Sequence, residues 1–411
     1  MKILQVTAST AADSGGPIES VLRNSEVWVR DGHSVEVVSL EDEADVAQRS
    51  FPVPLVALGR GIGKYGFNPR LPHWMRAHAR EFDVVILNGL WNYSSVGSWQ
   101  GLRKTATPYY IFAHGMMAPW FRKFWLKHMA KELFWRLAEG RVLRDATAVL
   151  FTTEEERFEA RDVFRGHAYR ERVAPIGTSD PPDADEEQHR ALIKAFPELE
   201  GAQFLLFIGR IHPKKGCDLL LAAFAEFALR NPTLRNVHLV MAGPDQVGWM
   251  RELKALAQKL GIARRLQWTG MVEGDVKWGM LRAAEAMILP SHQENFGLVV
   301  AEAMACSTPV LITNKVNIWR EVETSGGGFV EEDTREGTVR LIERFYSLSS
   351  AERGEMGEAA RRGFLEHFEA TRGARNLLRS IERDLASLRS RGLQKGESRL
   401  KEGLREGDLP D

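Results

Sequence analysis

The run Glu294-Asn-Phe-Gly-Leu-Val-Val-Ala-Glu302 holds two carboxylates at a spacing that could bind a long, polar, anionic ligand. Before it, Ala286-Met-Ile-Leu-Pro-Ser291 reads as a buried strand that ends in a turn. After it, an apolar helical stretch passes Met304 and Cys306 and stops before Pro309. Glu294 therefore falls on a strand-to-helix loop, and Glu302 lies a little over two helical turns further on. Gly297 sits where the helix begins, and N–H groups at a helix start lack intrahelical partners and attract phosphate. One carboxylate beside an anion pocket and another along the helix suit a diphosphate with hydroxyls at both ends. A nucleotide sugar has that form.

Other residues fit the same ligand. Gly209-Arg210 and Pro213-Lys214-Lys215-Gly216 follow an apolar strand and precede a helix. Arg offers a planar fork and Lys a point charge, a sensible diphosphate clamp. Ser14-Gly15-Gly16-Pro17 follows the first strand and opens a helix, where glycine lets backbone approach a ligand closely. His114-Gly115 ends another strand. Each feature alone has an ordinary reading: a solvated basic turn, a loop glycine, a structural histidine, an exposed glutamate. Their joint placement at strand ends favours a site.

The Glu-x7-Glu signature with Phe-Gly-Leu inside it resembles retaining glycosyltransferases of family 4, which have the GT-B fold. The resemblance covers roughly residues 1–385. It implies an α/β architecture of two Rossmann-like domains whose parallel sheets face a central cleft. It implies that Arg210 and Lys215 bind the donor phosphates, and that Gly16 faces the diphosphate from the N-terminal domain. It implies further that Glu294 and His114 approach the transferred sugar, that Glu302 binds the ribose hydroxyls, and that backbone N–H groups of Phe296, Gly297 and Leu298 help hold the donor. Met271 and Val272 fall where similar enzymes wrap the nucleobase. Catalytic work is thus expected of Glu294, His114, Arg210 and Lys215. No metal and no cofactor is expected beyond a nucleotide-sugar co-substrate, with a UDP- or GDP-sugar favoured. Many members of the family glycosylate lipid-linked acceptors, so the resemblance implies an acceptor glycan in exopolysaccharide or lipopolysaccharide assembly. A soluble small-molecule acceptor, or a non-catalytic nucleotide-sugar-binding partner, are the alternatives.

The elements that must position these residues are legible as alternation. Apolar runs at 2–7, 34–40, 83–88, 109–113 and 148–152 read as strands, with a helix over 17–30. The pattern restarts with strands at 204–209, 238–242, 266–269 and 286–289 and helices over 217–229 and 249–260. Such alternation points to doubly wound parallel sheets. Between the halves, the polar stretch 175–188, with Pro181, Pro182 and an acidic run, reads as a linker. The expected division is 1–180 for the acceptor domain and 188–365 for the donor domain. A helix within 366–388 crosses back to the first domain, and 389–411 is a weakly ordered charged tail.

With 411 residues, two or three domains are expected. Lys+Arg and Asp+Glu each total 55, and the resulting zero net charge argues against a nucleic-acid binder. Cys217 and Cys306 lie in apolar helical contexts and fit a reducing compartment. The start, Met-Lys-Ile-Leu-Gln-Val, reads as a strand rather than a leader, and no apolar run approaches the ~20 residues that span a bilayer. A cytoplasmic protein is expected.

Two matches are set aside. Gly61-Ile-Gly-Lys-Tyr-Gly66 fits a dinucleotide fingerprint, but Pro69 and Pro72 follow where its helix should run. Asp183-Ala-Asp185 fits a metal signature of another glycosyltransferase fold but lies in the linker. Over 119–144, Phe121, Phe124, Trp125, Met129, Leu133 and Leu137 recur at helical spacing among Arg122, Lys123, Lys127, Lys131 and Arg136. Such a helix either lies against an anionic membrane at its inner face or packs its apolar side on its own domain.

Overall fold

The computed structural model describes residues 1–11, 16–119, 125–234 and 236–406, and of residues 16, 125–127, 389 and 391–406 only the backbone. The N-terminal half runs β1 (Lys2–Thr7), α1 (Gly16–Arg30), β2 (Ser34–Ser39), α2 (Glu43–Ala47), β3 (Leu55–Ala57), α3 (Arg70–His78), β4 (Val84–Asn88), α4 (Tyr93–Leu102), β5 (Tyr109–Phe112), α5 (Trp125–Phe134), α6 (Gly140–Asp145), β6 (Ala148–Phe151), α7 (Glu154–Arg161) and β7 (Glu171–Val173). The C-terminal half runs α8 (Asp185–Ala195), β8 (Gln203–Ile208), α9 (Cys217–Arg230), β9 (Val237–Ala242), α10 (Met250–Lys259), β10 (Leu266–Gly270), α11 (Gly274–Ala283), β11 (Ala286–Leu289), α12 (Leu298–Ala305), β12 (Val310–Thr313), α13 (Trp319–Ser325), β13 (Gly328–Glu331), α14 (Arg335–Ser347) and α15 (Ser350–Gly363). A long α16 (Ala370–Glu406) follows.

The strands form two sheets, β3-β2-β1-β4-β5-β6-β7 and β10-β9-β8-β11-β12-β13. All pairings within them are parallel. Central strands such as Val-Val-Ile-Leu-Asn of β4 and Ala-Met-Ile-Leu of β11 are buried at every residue, because helices cover both faces. In each sheet the order reverses once, between β1 and β4 and between β8 and β11. Ligands of open α/β sheets bind outside the carboxyl ends of the strands at such a point. The GT-B architecture of two Rossmann-like sheets is therefore present.

Four strands, β3, β7, β12 and β13, are not singled out by the sequence. Three are sheet edges with few buried residues, and β12 is only Val-Leu-Ile-Thr between Pro309 and Asn314. The stretch 175–188 differs from a simple linker. Its acidic run is the first turn of α8, where carboxylates complement the helix dipole, and Gln188 is buried with its Nε2 donating to Pro182 O at 3.1 Å. Asp185 pairs with Arg282 at 3.0 Å. A helix, α3, does form after Gly61–Gly66 despite Pro72, because Pro72 sits in its first turn where no N–H is needed. Ahead of it, Gly61–Gly66 is a turn closed by an antiparallel bridge of Ile62 with Phe67, not a strand-to-helix junction.

The chain crosses between halves twice, and the crossings are bound together. Thr178 N donates to Phe368 O at 3.0 Å, and Ala370 N to Thr178 O at 3.1 Å. A Cβ at Gly177 would overlap the Phe368 carbonyl. Beyond this, α16 lies on α1. Ala374, Leu377, Leu378, Ile381 and Leu385 are buried at helical spacing in a core continuous with Ile3 and Trp28. Trp28 Nε1 donates to Ala374 O at 2.9 Å, Arg375 pairs with Asp31 at 2.7 Å, and Asp384 accepts from Tyr110 Oη at 2.7 Å and Arg172 Nη1 at 2.6 Å. The helix continues to Glu406 through much of the segment read as weakly ordered. Its Arg, Glu, Lys and Leu residues are strong helix formers, a propensity that charge content alone conceals.

Candidate active site

Lys215 and Glu294 meet at the crevice between β8 and β11. After β8 the chain makes one 3-10 turn, Pro213–Lys215, capped by His212, whose Nδ1 accepts from Lys214 N at 3.1 Å. Gly216 follows at φ +64°, and a Cβ there would overlap the Pro290 carbonyl. Only glycine lets this turn pass so close to the β11 loop. The Lys215 ammonium consequently forms an ion pair with Glu294, both side chains less than a fifth exposed. Burial draws the Lys215 ammonium below the ordinary lysine range, and neighbouring Arg210 adds to this. Glu294 is fixed by its own backbone, its N donating to Lys315 O at 2.8 Å and its O accepting from Asn317 N at 3.0 Å.

Gly297, at φ +78°, is the N-cap of α12 and supplies no side-chain cap. The N–H groups of Leu298 and Val299 therefore start the helix without intrahelical acceptors, beside Lys215 and Glu294. A Cβ at Gly297 would crowd Val316, Glu294 and Val300 at 3.2–3.3 Å. Further along α12, Glu302 is mostly buried and pairs with Lys277 Nζ at 2.9 Å. Burial pushes the Glu302 carboxyl up, and Lys277 holds it back. Glu19 and Arg23 of α1 also act on it, which brings α1, headed by Gly16, to the same region.

The other sequence candidates lie less centrally. Arg210 turns its guanidinium to Gln246 Oε1 at 3.1 Å, on the rim. Phe296 is buried with its ring edge-on to Phe368 at 5.8 Å, so its side chain belongs to the core. Val272 is half-buried against the C-terminal core after β10, beside exposed Met271. Gly16 opens α1, while Ser14 and Gly15 lie outside the described residues. His114, from the other half, adopts φ +46°, stacks on Phe112 and places Nε2 3.4 Å from Asn88 Oδ1. Burial pushes its pKa down to about 3, so the imidazole is neutral.

Several participants escape a reading of the sequence. Lys277 precedes its partner by 25 residues with no motif to mark it. Glu156 looks like one of three acidic residues at a helix start, yet accepts from Gly115 N at 2.5 Å. Asn295 Nδ2 donates to Thr152 Oγ1 of the other half at 3.0 Å. His292 Nδ1 lies 3.0 Å from Asp333 Oδ2 in a recess also lined by Lys315, Glu159 and Pro119.

The helix of 119–144 is only partly described, since Phe121, Arg122, Lys123 and Phe124 lie outside the described residues and the side chains of Trp125 and Lys127 are not described. Met129, Leu133 and Leu137 are 59, 60 and 59 % exposed, so this stripe does not pack inward. Trp135 and Glu139, in a π-helical turn, face the core instead. Lys131 lies over the Trp91 ring at 4.5 Å. Among the described residues no helix is long and apolar enough to cross a membrane.

Residues 188–363 match the family model described as glycosyl transferases group 1, and residues 15–177 that of a glycosyl transferase 4-like domain. A D-inositol 3-phosphate glycosyltransferase of Geodermatophilus obscurus is 36 % identical over 184 residues, 43 % of this chain and 40 % of the relative. The chain thus spans about two fifths of the length of the curated relatives it matches. Sucrose-phosphate synthase from Thermosynechococcus elongatus superposes with a TM-score of 0.73 at 21 % identity, over 94 % of this chain and 99 % of that one. Anabaena Alr3699/HepE, solved in complex with UDP and glucose, gives 0.74 at 17 %, over 93 % and 99 %. These two likenesses concern the fold.

Proposed function

We propose, on the premise that this chain belongs to the group 1 glycosyl transferases, that it moves a sugar from a nucleotide-sugar donor to an acceptor hydroxyl. The observation that carries this reading is the Lys215–Glu294 pair set against the uncapped start of α12. A donor diphosphate seated there receives N–H groups of α12, the Lys215 ammonium and, from the rim, Arg210. These offset the charge that grows on the leaving nucleotide as the C1–O bond breaks. Glu302 accepts from ribose hydroxyls, and Val272 borders the base. Glu294 and neutral His114 border the sugar. UDP is the favoured nucleotide, as HepE is solved with UDP.

Configuration is retained in this reading, and no metal takes part. Glu294 is committed to Lys215, so it does not act as a nucleophile on the opposite sugar face. The acceptor oxygen bonds C1 on the face the phosphate leaves, and its proton passes to the departing phosphate oxygen. The test is thermal stability with UDP, GDP, ADP and their sugars in EDTA, paired with donor turnover. A ligand at a hundredfold excess over its Kd stabilises the fold by about 2.7 kcal/mol. A shift with one nucleotide and turnover of its sugar is expected. No shift at millimolar nucleotide sinks the reading.

The exposed Met129-Leu133-Leu137 stripe favours a glycan acceptor held at a membrane, in polysaccharide assembly, over a soluble one. An apolar stripe with Arg136 and Arg141 nearby suits an anionic bilayer surface. The protein should sediment with vesicles containing anionic lipid, and Leu133→Glu/Leu137→Glu should stay in solution. Wild type left in the supernatant would return the acceptor to a soluble metabolite.

A further inference from the structure

We propose that Glu156 is a positioning residue for sugar transfer: its carboxylate locks the turn that carries His114 and orients the seat on which Asn295 docks from the other half. The inference rests on the proposed glycosyl transfer and adds a residue to that site.

The local sequence would lead one to expect a plain helix cap. Thr153 is the N-cap of α7 and accepts from Glu156 N at 3.0 Å, so Glu156 holds the N3 position of a capping box. In such a box the N3 carboxylate reaches back to the N-cap N–H. Ser349 and Glu352 of this chain do this at α15, on the surface, with Ser349 N donating to Glu352 at 2.7 Å. Glu156 does otherwise. It is 3 % exposed, and its oxygens accept from Thr152 N at 2.6 Å, Thr152 Oγ1 at 2.7 Å and Gly115 N at 2.5 Å. The two caps differ electrically as well. Hydrogen bonds from Ser349 hold the Glu352 carboxyl down, whereas burial pushes that of Glu156 up. A helix cap does not require a buried carboxylate, which is costly to desolvate.

What the burial secures is a strained turn. His114 and Gly115 are both left-handed, at φ +46° and +72°. That conformation is uncommon for a non-glycine residue and persists where surroundings over-determine it. The bond from Gly115 N to Glu156 is the tie. The same carboxylate fixes the Thr152 hydroxyl. Because Thr152 Oγ1 donates its one proton to Glu156, it offers only lone pairs outward, and Asn295 Nδ2 donates to it at 3.0 Å. The contact is close: a Cβ at Gly115 would lie 2.8 Å from the Asn295 side chain. Asn295 is the residue after Glu294. One carboxylate thus couples the His114 turn of the N-terminal half to the Glu294 loop of the C-terminal half.

The test compares Glu156→Gln, Asn295→Ala, Thr152→Val and the Glu156→Gln/Asn295→Ala double variant with wild type. The probes are UDP affinity by calorimetry and kcat for UDP-sugar turnover. UDP affinity should stay within about threefold, because the C-terminal half holds the nucleotide. Each single variant should lose about tenfold or more in kcat, and the double variant should be little worse than the poorer single, since linked residues are non-additive. A cap that only stabilises α7 would lower the melting temperature and leave kcat unchanged, or give additive losses, and either result overturns the proposal. If Glu156→Gln does not fold, Thr152→Val keeps the bonds of Gly115 N and Thr152 N to Glu156 and removes the hydroxyl that stands between Glu156 and Asn295, so full kcat there overturns it. If wild type neither binds UDP nor turns over a UDP-sugar, it is the functional reading that fails. Hydrogen exchange at Gly115 N–H then decides: loss of protection in Asn295→Ala sustains the coupling, and unchanged protection ends it.

Discussion

Lys215→Ala is expected to lower kcat/KM for the donor by about 10²–10³, the usual loss when one donor to a developing anion is removed. The effect should fall on kcat, because the charge offset by Lys215 grows only as the phosphate departs. A second consequence is specific to this geometry. Lys215 is the ion-pair partner of a largely buried Glu294, so the alanine variant strands a carboxylate. Breaking one side of such a pair costs about 3–5 kcal/mol. Lys215→Ala/Glu294→Gln should therefore regain most of the lost melting temperature and stay inactive. Donor kinetics and thermal melts of the three proteins check both parts. Activity within threefold of wild type would remove Lys215 from the mechanism, and a double variant no more stable than the single would remove the ion pair as the cause.

Glu302→Ala should weaken nucleotide binding rather than turnover. Hydrogen bonds to a charged group contribute about 1.5–3 kcal/mol, roughly 10–150-fold in Kd. In the proposed role the carboxylate form is the one that accepts from ribose hydroxyls, and burial raises its pKa. The sign follows. Affinity is full above the raised pKa and falls as pH drops through it, because protonation of Glu302 removes the acceptor. Glu302→Gln should flatten that acid limb. Lys277→Met should move the limb to higher pH, because it takes away the cation that holds the carboxyl down. Calorimetric Kd values for UDP across pH report all three. A limb that persists unchanged in Glu302→Gln would assign it to another group.

What could be read from the residues was what is coded over short distances. Glu294, Gly297 and Glu302 lie on one loop and one helix, and their order along the chain is their order in space. The buried strands β4, β8 and β11 are continuous apolar runs, which their two-sided burial requires. The edge β13 carries no such run, since a half-exposed short strand needs none. Lys277 and Glu156 were illegible for a different reason. Each owes its place to a contact across elements, with Glu302 and with Gly115, and neither sits in a pattern that a helix or strand period would mark. Met129, Leu133 and Leu137 show the limit of periodicity itself. Their spacing defines a face, and only the packing of Trp135 inward decides that the face points out.

The paired crossings at Thr178 and Phe368, with α16 seated on α1, bear on how such enzymes can be recombined. The C-terminal half is an insertion: chain belonging to the first half flanks it on both sides. A chimera made at a single cut near residue 180 would bring a foreign α16 against Trp28, Asp31, Tyr110 and Arg172, and lose Asp384 and its partners unless those happened to match. A graft that replaces only the segment between the crossings and keeps this chain's own helix from Ala370 onward leaves every one of those contacts native. Whatever the inserted half recognises could then be exchanged as a cassette, with the surface of the first half left in place.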